Sequence, residues 1–70
     1  MNLKKITSNR LLELRCGQGL NQAAIAELLT ADVSSVSAWE NNKYQPSPRY
    51  AGLIKTYFGL PYEEIFTFST

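Results

Sequence analysis

Few side chains in this chain of 70 residues are suited to catalysis, and their spacing keeps them apart. There is no histidine, and Cys16 is the single cysteine, so no base stands beside a nucleophile. For the same reason neither an internal disulfide nor a structural zinc site can form. Glu63 and Glu64 are neighbours in sequence, and on a helix they point about 100° apart, which rules out an acid–base dyad. They fit better at the start of a last helix, where carboxylates complement the helix dipole. Gly17-Gln18-Gly19 lacks the preceding strand and the third glycine of a dinucleotide loop, and reads as a turn. The inventory argues against an enzyme and implies no cofactor, no metal and no small-molecule substrate.

Composition sets further bounds. The chain is 44% hydrophobic with a net charge of +1, so it has the apolar content to fold and no excess charge to keep it open. No apolar run approaches the ~20 residues of a membrane span. The basic start, Met1 to Ile6, is not followed by the apolar stretch of a signal peptide. A protein of the reducing cytoplasm is expected, stabilised by packing alone. One domain over residues 1–70 is expected, with its core in about 8–66 and short flexible termini.

The elements follow from punctuation and helical period. Ser8 is read as the cap of a first helix, Asn9 to Cys16, with Leu11 and Leu14 inward; Gly17 and Gly19 end it. Asn21 caps a second helix, Gln22 to Leu29, with Ile25, Ala26 and Leu29 as its buried stripe. After Thr30-Ala31-Asp32, a third helix runs from Val33 to Glu40 with Val36 and Trp39 inward. The loop from Asn41 to Pro46 precedes Ser47-Pro48, a cap followed by proline at the first helical position. That fourth helix is closed by Gly59. A fifth, from about Pro61 to Phe66, brings Ile65 and Phe66 to the core, and Thr67 to Thr70 is read as a tail. The expected fold is all-α, with five short helices.

The run from Gly19 to Leu29, the run Val33-Ser34-Ser35-Val36-Ser37-Ala38-Trp39-Glu40-Asn41, the Leu11-to-Arg15 pattern and the closing Gly59-to-Phe66 segment together resemble the Cro/CI-type helix-turn-helix regulators of temperate phages. This is the XRE family, and the likeness covers about Arg10 to Phe66. It implies a lambda-repressor-like fold and double-stranded operator DNA as a partner. Val33, Ser34, Ser35, Ser37 and Ala38 would face base edges in a major groove about 12 Å wide. Asn21, Gln22, Asn41, Asn42, Lys43 and Arg10 would meet phosphates, with Lys4, Lys5 and Arg49 as further cations in reach. Arg15 and Glu40 match a family pair that ties the first helix to the end of the third.

Three departures from the family pattern bear on function. Thr30 stands where the family commonly has a glycine of positive φ; a β-branched residue there favours a reshaped turn. The third helix has no Arg, Lys, Gln or Asn for bidentate base contacts, and few cations lie near it; this implies either modest DNA affinity that salt quickly abolishes, or small residues that permit close approach and water-mediated contacts. Finally, Tyr50, Leu53 and Tyr57 form a second apolar stripe on the fourth helix, with Tyr62 and Phe68 downstream, and Leu28 sits where the family usually carries charge. That surplus implies a protein partner. The resemblance then allows two roles in a bacterial host. One is a co-regulator or antirepressor (modulator of repression) acting with the phage repressor in a lysis/lysogeny switch; the other is an autonomous Cro-like homodimer on a palindromic operator.

Overall fold

The ends of the chain pair with one another. In the computed structural model, which describes residues 5–69, β1 (Ile6–Asn9) lies antiparallel to β2 (Phe66–Phe68). Ile6 faces Phe68, Ser8 faces Thr67 and Asn9 faces Phe66, so Thr7 is an extra residue bulged out of the ladder. The zipper extends beyond the strands: Ser69 N donates to Lys5 O at 2.8 Å, and Arg10 N donates to Ile65 O at 2.8 Å. Between the strands run α1 (Leu11–Gly17), α2 (Gln22–Leu29), α3 (Val33–Glu40), α4 (Pro48–Phe58) and α5 (Tyr62–Ile65).

The sheet corrects the sequence reading at both ends. Ser8 does not cap a helix, because its backbone is committed to pairing with Thr67. Asn9 belongs to the strand, and α1 begins at Leu11, whose N–H donates to Asn9 Oδ1 at 2.9 Å. The expected tail is not one either: Phe66-Thr67-Phe68 is a strand, and of that segment Thr70 lies outside the described residues. The alternation of large aromatics with a β-branched residue is a strand signal, too short to be read beside a helix ending. The chain is mostly helical, with a short two-stranded sheet that the all-α expectation left out.

Elsewhere the local rules hold. Asn21 Oδ1 accepts from Ala24 N at 2.8 Å, capping α2. Pro48 occupies the first turn of α4, and Gly59 ends that helix at φ 67°, a conformation glycine adopts without cost. Ser47 and Asp32 hold N-cap positions, but neither side chain makes a capping bond. The core collects one stripe from each helix: Leu11, Ile25, Ala26, Leu29, Val36, Trp39, Ala51, Ile54 and Ile65, with Phe66 from β2. Each fully buried Leu or Ile contributes roughly 1.5–3 kcal/mol. In so small a core no single one is dispensable.

Candidate nucleic-acid interface

Two helices joined by a tight turn can approach only where the side chains between them are small. Ala26 of α2 is that residue, buried next to Ile25 and across from Val36 and Trp39. The turn itself is left-handed at its first residue. Thr30 adopts φ 55°, ψ 45°, the left-handed conformation, and no glycine is needed to form it. The expected reshaped turn is therefore wrong. Three bonds hold Thr30 in place: its N–H donates to Glu27 O at 3.1 Å, Ala31 N donates to Ala26 O at 2.8 Å, and the Tyr50 hydroxyl donates to Thr30 O at 3.3 Å.

α3 is fixed from below by a polar clamp. Arg15 Nε donates to Glu40 Oε2 at 2.6 Å and Arg15 Nη2 to Glu40 Oε1 at 3.0 Å, a fork-on-fork pair. The two side chains are only 11% and 3% exposed. Gln22 Nε2 donates to the same Oε1 at 2.9 Å, and Arg15 Nη1 donates to Leu20 O at 2.8 Å. One cluster thus joins α1, the start of α2 and the end of α3. Burial pushes the Glu40 carboxyl up, but the hydrogen bonds from Arg15 and Gln22 and the adjacent guanidinium outweigh it. The group is held below its ordinary value. The bond to Glu40 likewise holds Arg15 above its own, against the effect of burial.

A second tie was not legible in the sequence. Asn9 Nδ2 donates to Trp39 O at 2.9 Å and to Gln45 Oε1 at 2.7 Å, while Gln45 Nε2 donates to Asn42 Oδ1 at 2.9 Å. β1 is thereby connected to the last turn of α3 and to the loop after it. Asn9 is as good a capping residue as Ser8, so a signal existed; its long-range partners leave no local trace.

With α3 so held, its free face is defined by helical register. Val33, Ser34, Ser37 and Ala38 share it, with Val33 and Ser34 exposed and Ser37 and Ala38 half-buried. Ser35 is rotated about 100° beyond Ser34, toward the side that carries Trp39, and leaves that face. Asn41, Asn42 and Lys43 are exposed where α3 ends; Asn42 is left-handed at φ 55°, and Lys43 N closes onto Ala38 O at 2.9 Å. Lys43 has no ion-pair partner among the described residues. At the other end, the Gln22 amide is half-buried and spends one proton on Glu40, keeping the second for an anion.

Of the remaining cations Lys5 is exposed just before β1, without an ion-pair partner among the described residues, and the others are less free. Arg10 is paired with Glu13 and donates from Nη1 to Glu64 O at 2.8 Å. Arg49 lies 5.8 Å over the Tyr50 ring and Lys55 5.5 Å over the Tyr62 ring. Lys4 lies outside the described residues.

Against this architecture, a helix-turn-helix family model matches residues 11–65, from the start of α1 to the end of α5. The chain belongs to that family. Its DNA-binding, XRE-type character makes this domain a DNA-binding regulator in kind, not an enzyme. The two strands flank the matched span. No curated protein matches the chain. Among solved structures, one of a Bacteroides fragilis protein, provisionally described as DNA-binding, superposes with a TM-score of 0.75. It covers 93% of this helix-turn-helix domain and all of the other chain at 17% identity, a likeness of fold alone.

The apolar stripe of α4 divides in the folded domain. Tyr50 turns inward, its ring 5.1 Å from that of Trp39, and leaves the free surface. Leu53 and Tyr57 stay exposed, as do Leu28 on α2 and Tyr62 on α5. The Tyr57 hydroxyl donates to Gln18 Oε1 at 3.1 Å, which ties it to the end of α1. Phe68, half-buried, packs against the core next to Phe66. Cys16 is an exposed free thiol. Among the described residues no helix is long and apolar enough to cross a membrane.

Proposed function

We propose that this domain is a cytoplasmic transcriptional regulator that binds operator DNA by laying α3 in the major groove. The observation that carries the reading is the clamp: Arg15, Glu40 and Gln22 fix the angle of a helix whose outward face carries a single long side-chain bond, from Asn41 Nδ2 to Ser37 Oγ at 3.5 Å. In this reading Val33, Ser34, Ser37 and Ala38 address base edges. Asn21, Gln22, Asn41, Asn42 and Lys43 address phosphates. Arg10, already bound to Glu13 and Glu64, contributes little. With so few free cations the grip is weak: two or three phosphates neutralised per domain give a log–log salt slope of about −2 to −3.

The same reading gives the domain a second chain as partner. Leu28, Leu53 and Tyr57 support this, since they are large, apolar and exposed on a very small domain. The sequence resemblance supplies the setting, a phage lysis/lysogeny switch in which the domain acts with the repressor as an antirepressor or co-regulator. The alternative is a homodimer reading half-sites about 34 Å apart.

The test is fluorescence anisotropy at low salt with duplexes from the promoter region beside the gene, run with and without the neighbouring repressor. Binding that Ser34→Glu abolishes supports the reading. No shift with any duplex, with or without the repressor, overturns it. Leu53→Lys with Tyr57→Lys discriminates the roles: loss of a repressor complex favours the co-regulator, and loss of self-association favours the homodimer.

A further inference from the structure

Away from α3, the sheet and the start of α4 enclose a groove of about 410 Å³, open to the surface. The paired Ile6 and Phe68 line it from the two strands, Pro48 and Ala51 from α4, and Tyr62 from α5. Two longer polar side chains complete the lining, Gln45 and Lys5, and they are not equivalent. The Gln45 amide is already committed: Oε1 accepts from Asn9 Nδ2 at 2.7 Å, and Nε2 donates to Asn42 Oδ1 at 2.9 Å and to Thr7 O at 3.4 Å. With both protons engaged it presents a flat wall and no free donor. Lys5 is the reverse. Its backbone is pinned twice, the N–H donating to Ser69 Oγ at 3.3 Å and the carbonyl accepting from Ser69 N at 2.8 Å. Its ammonium has no ion-pair partner among the described residues, and none of the lining residues is acidic. A second cation, Lys55, lies 5.5 Å over the Tyr62 ring and adds positive potential near that wall.

We propose that this groove binds a small aromatic carboxylate, its rings among Tyr62, Ile6 and Phe68 and its carboxylate on Lys5. A mostly apolar concavity of this volume with one convergent charge has the make-up of a small-molecule site. An apolar cavity of roughly 150 Å³ takes one benzene, so this groove takes two fused rings with their substituent. Flat rings gain offset or edge contacts with Tyr62 and Phe68 that an alkyl chain does not. A cationic ligand meets repulsion from Lys5 and Lys55, and a neutral one leaves Lys5 without a partner. The lining offers no second charged donor to a more polar molecule. The site shares no residue with the outward face of α3, so it is independent of the DNA-binding reading.

The experiment is an NMR titration of the isotope-labelled full chain with β-naphthoate, beside the neutral β-naphthamide. Saturable amide shifts are expected at Ile6, Ala51, Tyr62 and Phe68, and at the side-chain amides of Gln45 and of Asn42, to which Gln45 is bonded. A ligand of this size should bind with a dissociation constant of about a millimolar or tighter. The neutral amide binds about threefold more weakly, the magnitude of one exposed ion pair. Lys5→Gln abolishes that difference and leaves naphthamide binding unchanged. Tyr62→Ala weakens both probes by roughly two- to tenfold, the loss of one aromatic contact. Circular dichroism checks that the helices persist; if Tyr62→Ala unfolds the chain, the exposed Lys5→Gln carries the test. Shifts that do not saturate, equal binding of acid and amide by the native chain, or shifts centred on Leu28, Leu53 and Tyr57 overturn the proposal. Each of these results leaves the DNA-binding reading in place, since no DNA enters the titration.

Discussion

Removing Arg15 alone should be the most damaging single change outside the apolar core. In Arg15→Met, Glu40 loses two of its three donors and keeps only Gln22, while its side chain remains 3% exposed. Breaking a buried pair from one side costs about 3–5 kcal/mol; the 11% exposure of Arg15, which lets water into the vacated site, places this case near the lower end, at about 3 kcal/mol. At about 0.05–0.15 kcal/mol per residue, a chain of this length has roughly 4–10 kcal/mol in total. The variant therefore loses a third of its stability or more. Trp39 reports it directly, as the single tryptophan, buried against Tyr50. With a urea slope of about 1 kcal/mol per molar for so small a protein, the unfolding midpoint should fall by roughly 3 M.

The double variant Arg15→Met with Glu40→Met separates the pair from its parts. Replacing both charges by apolar chains is close to neutral, within about 1 kcal/mol, because the desolvation of two ions is no longer incurred. The cycle should then return a coupling of about 2 kcal/mol or more. Two results would refute the reasoning. If Arg15→Met cost under about 0.5 kcal/mol, the pair would be behaving as an exposed one. If the double variant cost the sum of the singles, the two side chains would not be acting on each other.

Thr30→Gly should stabilise the domain by roughly 0.5–1 kcal/mol: it relieves about 1–2 kcal/mol of left-handed strain and returns part of that as unfolded-chain entropy. A lower thermal midpoint in this variant would show that the strain is absent. Asn9→Ala should cost about 2–3 kcal/mol in urea titrations, since a local bond to Leu11 N and two long-range bonds go together, and Asn9→Asp should fall between because it keeps only the local bond. Because Glu40 is held below its ordinary 4.5, the stability it contributes is complete above that value and is lost as pH falls through the lower folded value. Acid titration of Trp39 fluorescence should thus steepen below about pH 4.5, and Glu40→Gln should remove that component. Lys43→Ala should weaken DNA binding alike on all sequences and make the log–log salt slope shallower by about 0.9; an unchanged slope places Lys43 off the phosphates.

The parts of the fold legible in the sequence were those decided by near neighbours. The Asn21 cap, the stop at Gly59 and the buried stripe of Ile25, Ala26 and Leu29 all rest on interactions within one or two turns. The sheet rests on residues about 60 positions apart, and its first strand, Ile6 to Asn9, carries capping residues that read equally well as the start of a helix. Thr30 misled for the opposite reason: its own preference argued against the left-handed turn, but the bonds from Ala31 to Ala26 and from Tyr50 to Thr30 impose it. Local preference yields wherever several tertiary bonds agree against it.

A near-zero net charge argues against a DNA-binding domain only if every charge counts equally. Arg15 is spent on Glu40 and Arg10 on Glu13, while Arg49 and Lys55 sit over tyrosine rings. Lys43 has no ion-pair partner among the described residues and stands at the end of α3, which itself carries no cation. The clamp therefore costs the interface a positive charge, and what it gives in return is orientation: a helix held at one angle can discriminate by a methyl group or a single acceptor, contacts that tolerate little misplacement. Such contacts are individually weak. On the proposed reading a single domain therefore binds transiently, and occupancy of an operator requires two recognition helices to act at once. Joining two domains makes the second contact intramolecular, at an effective concentration in the millimolar range, and raises avidity by about 10²–10⁴ without any new base contact. On that reading the exposed Leu53 and Tyr57 are where we place such a junction. On the proposed reading a poorly charged recognition helix and an apolar flank form one adaptation: the weaker the single grip, the more completely operator binding depends on the second chain.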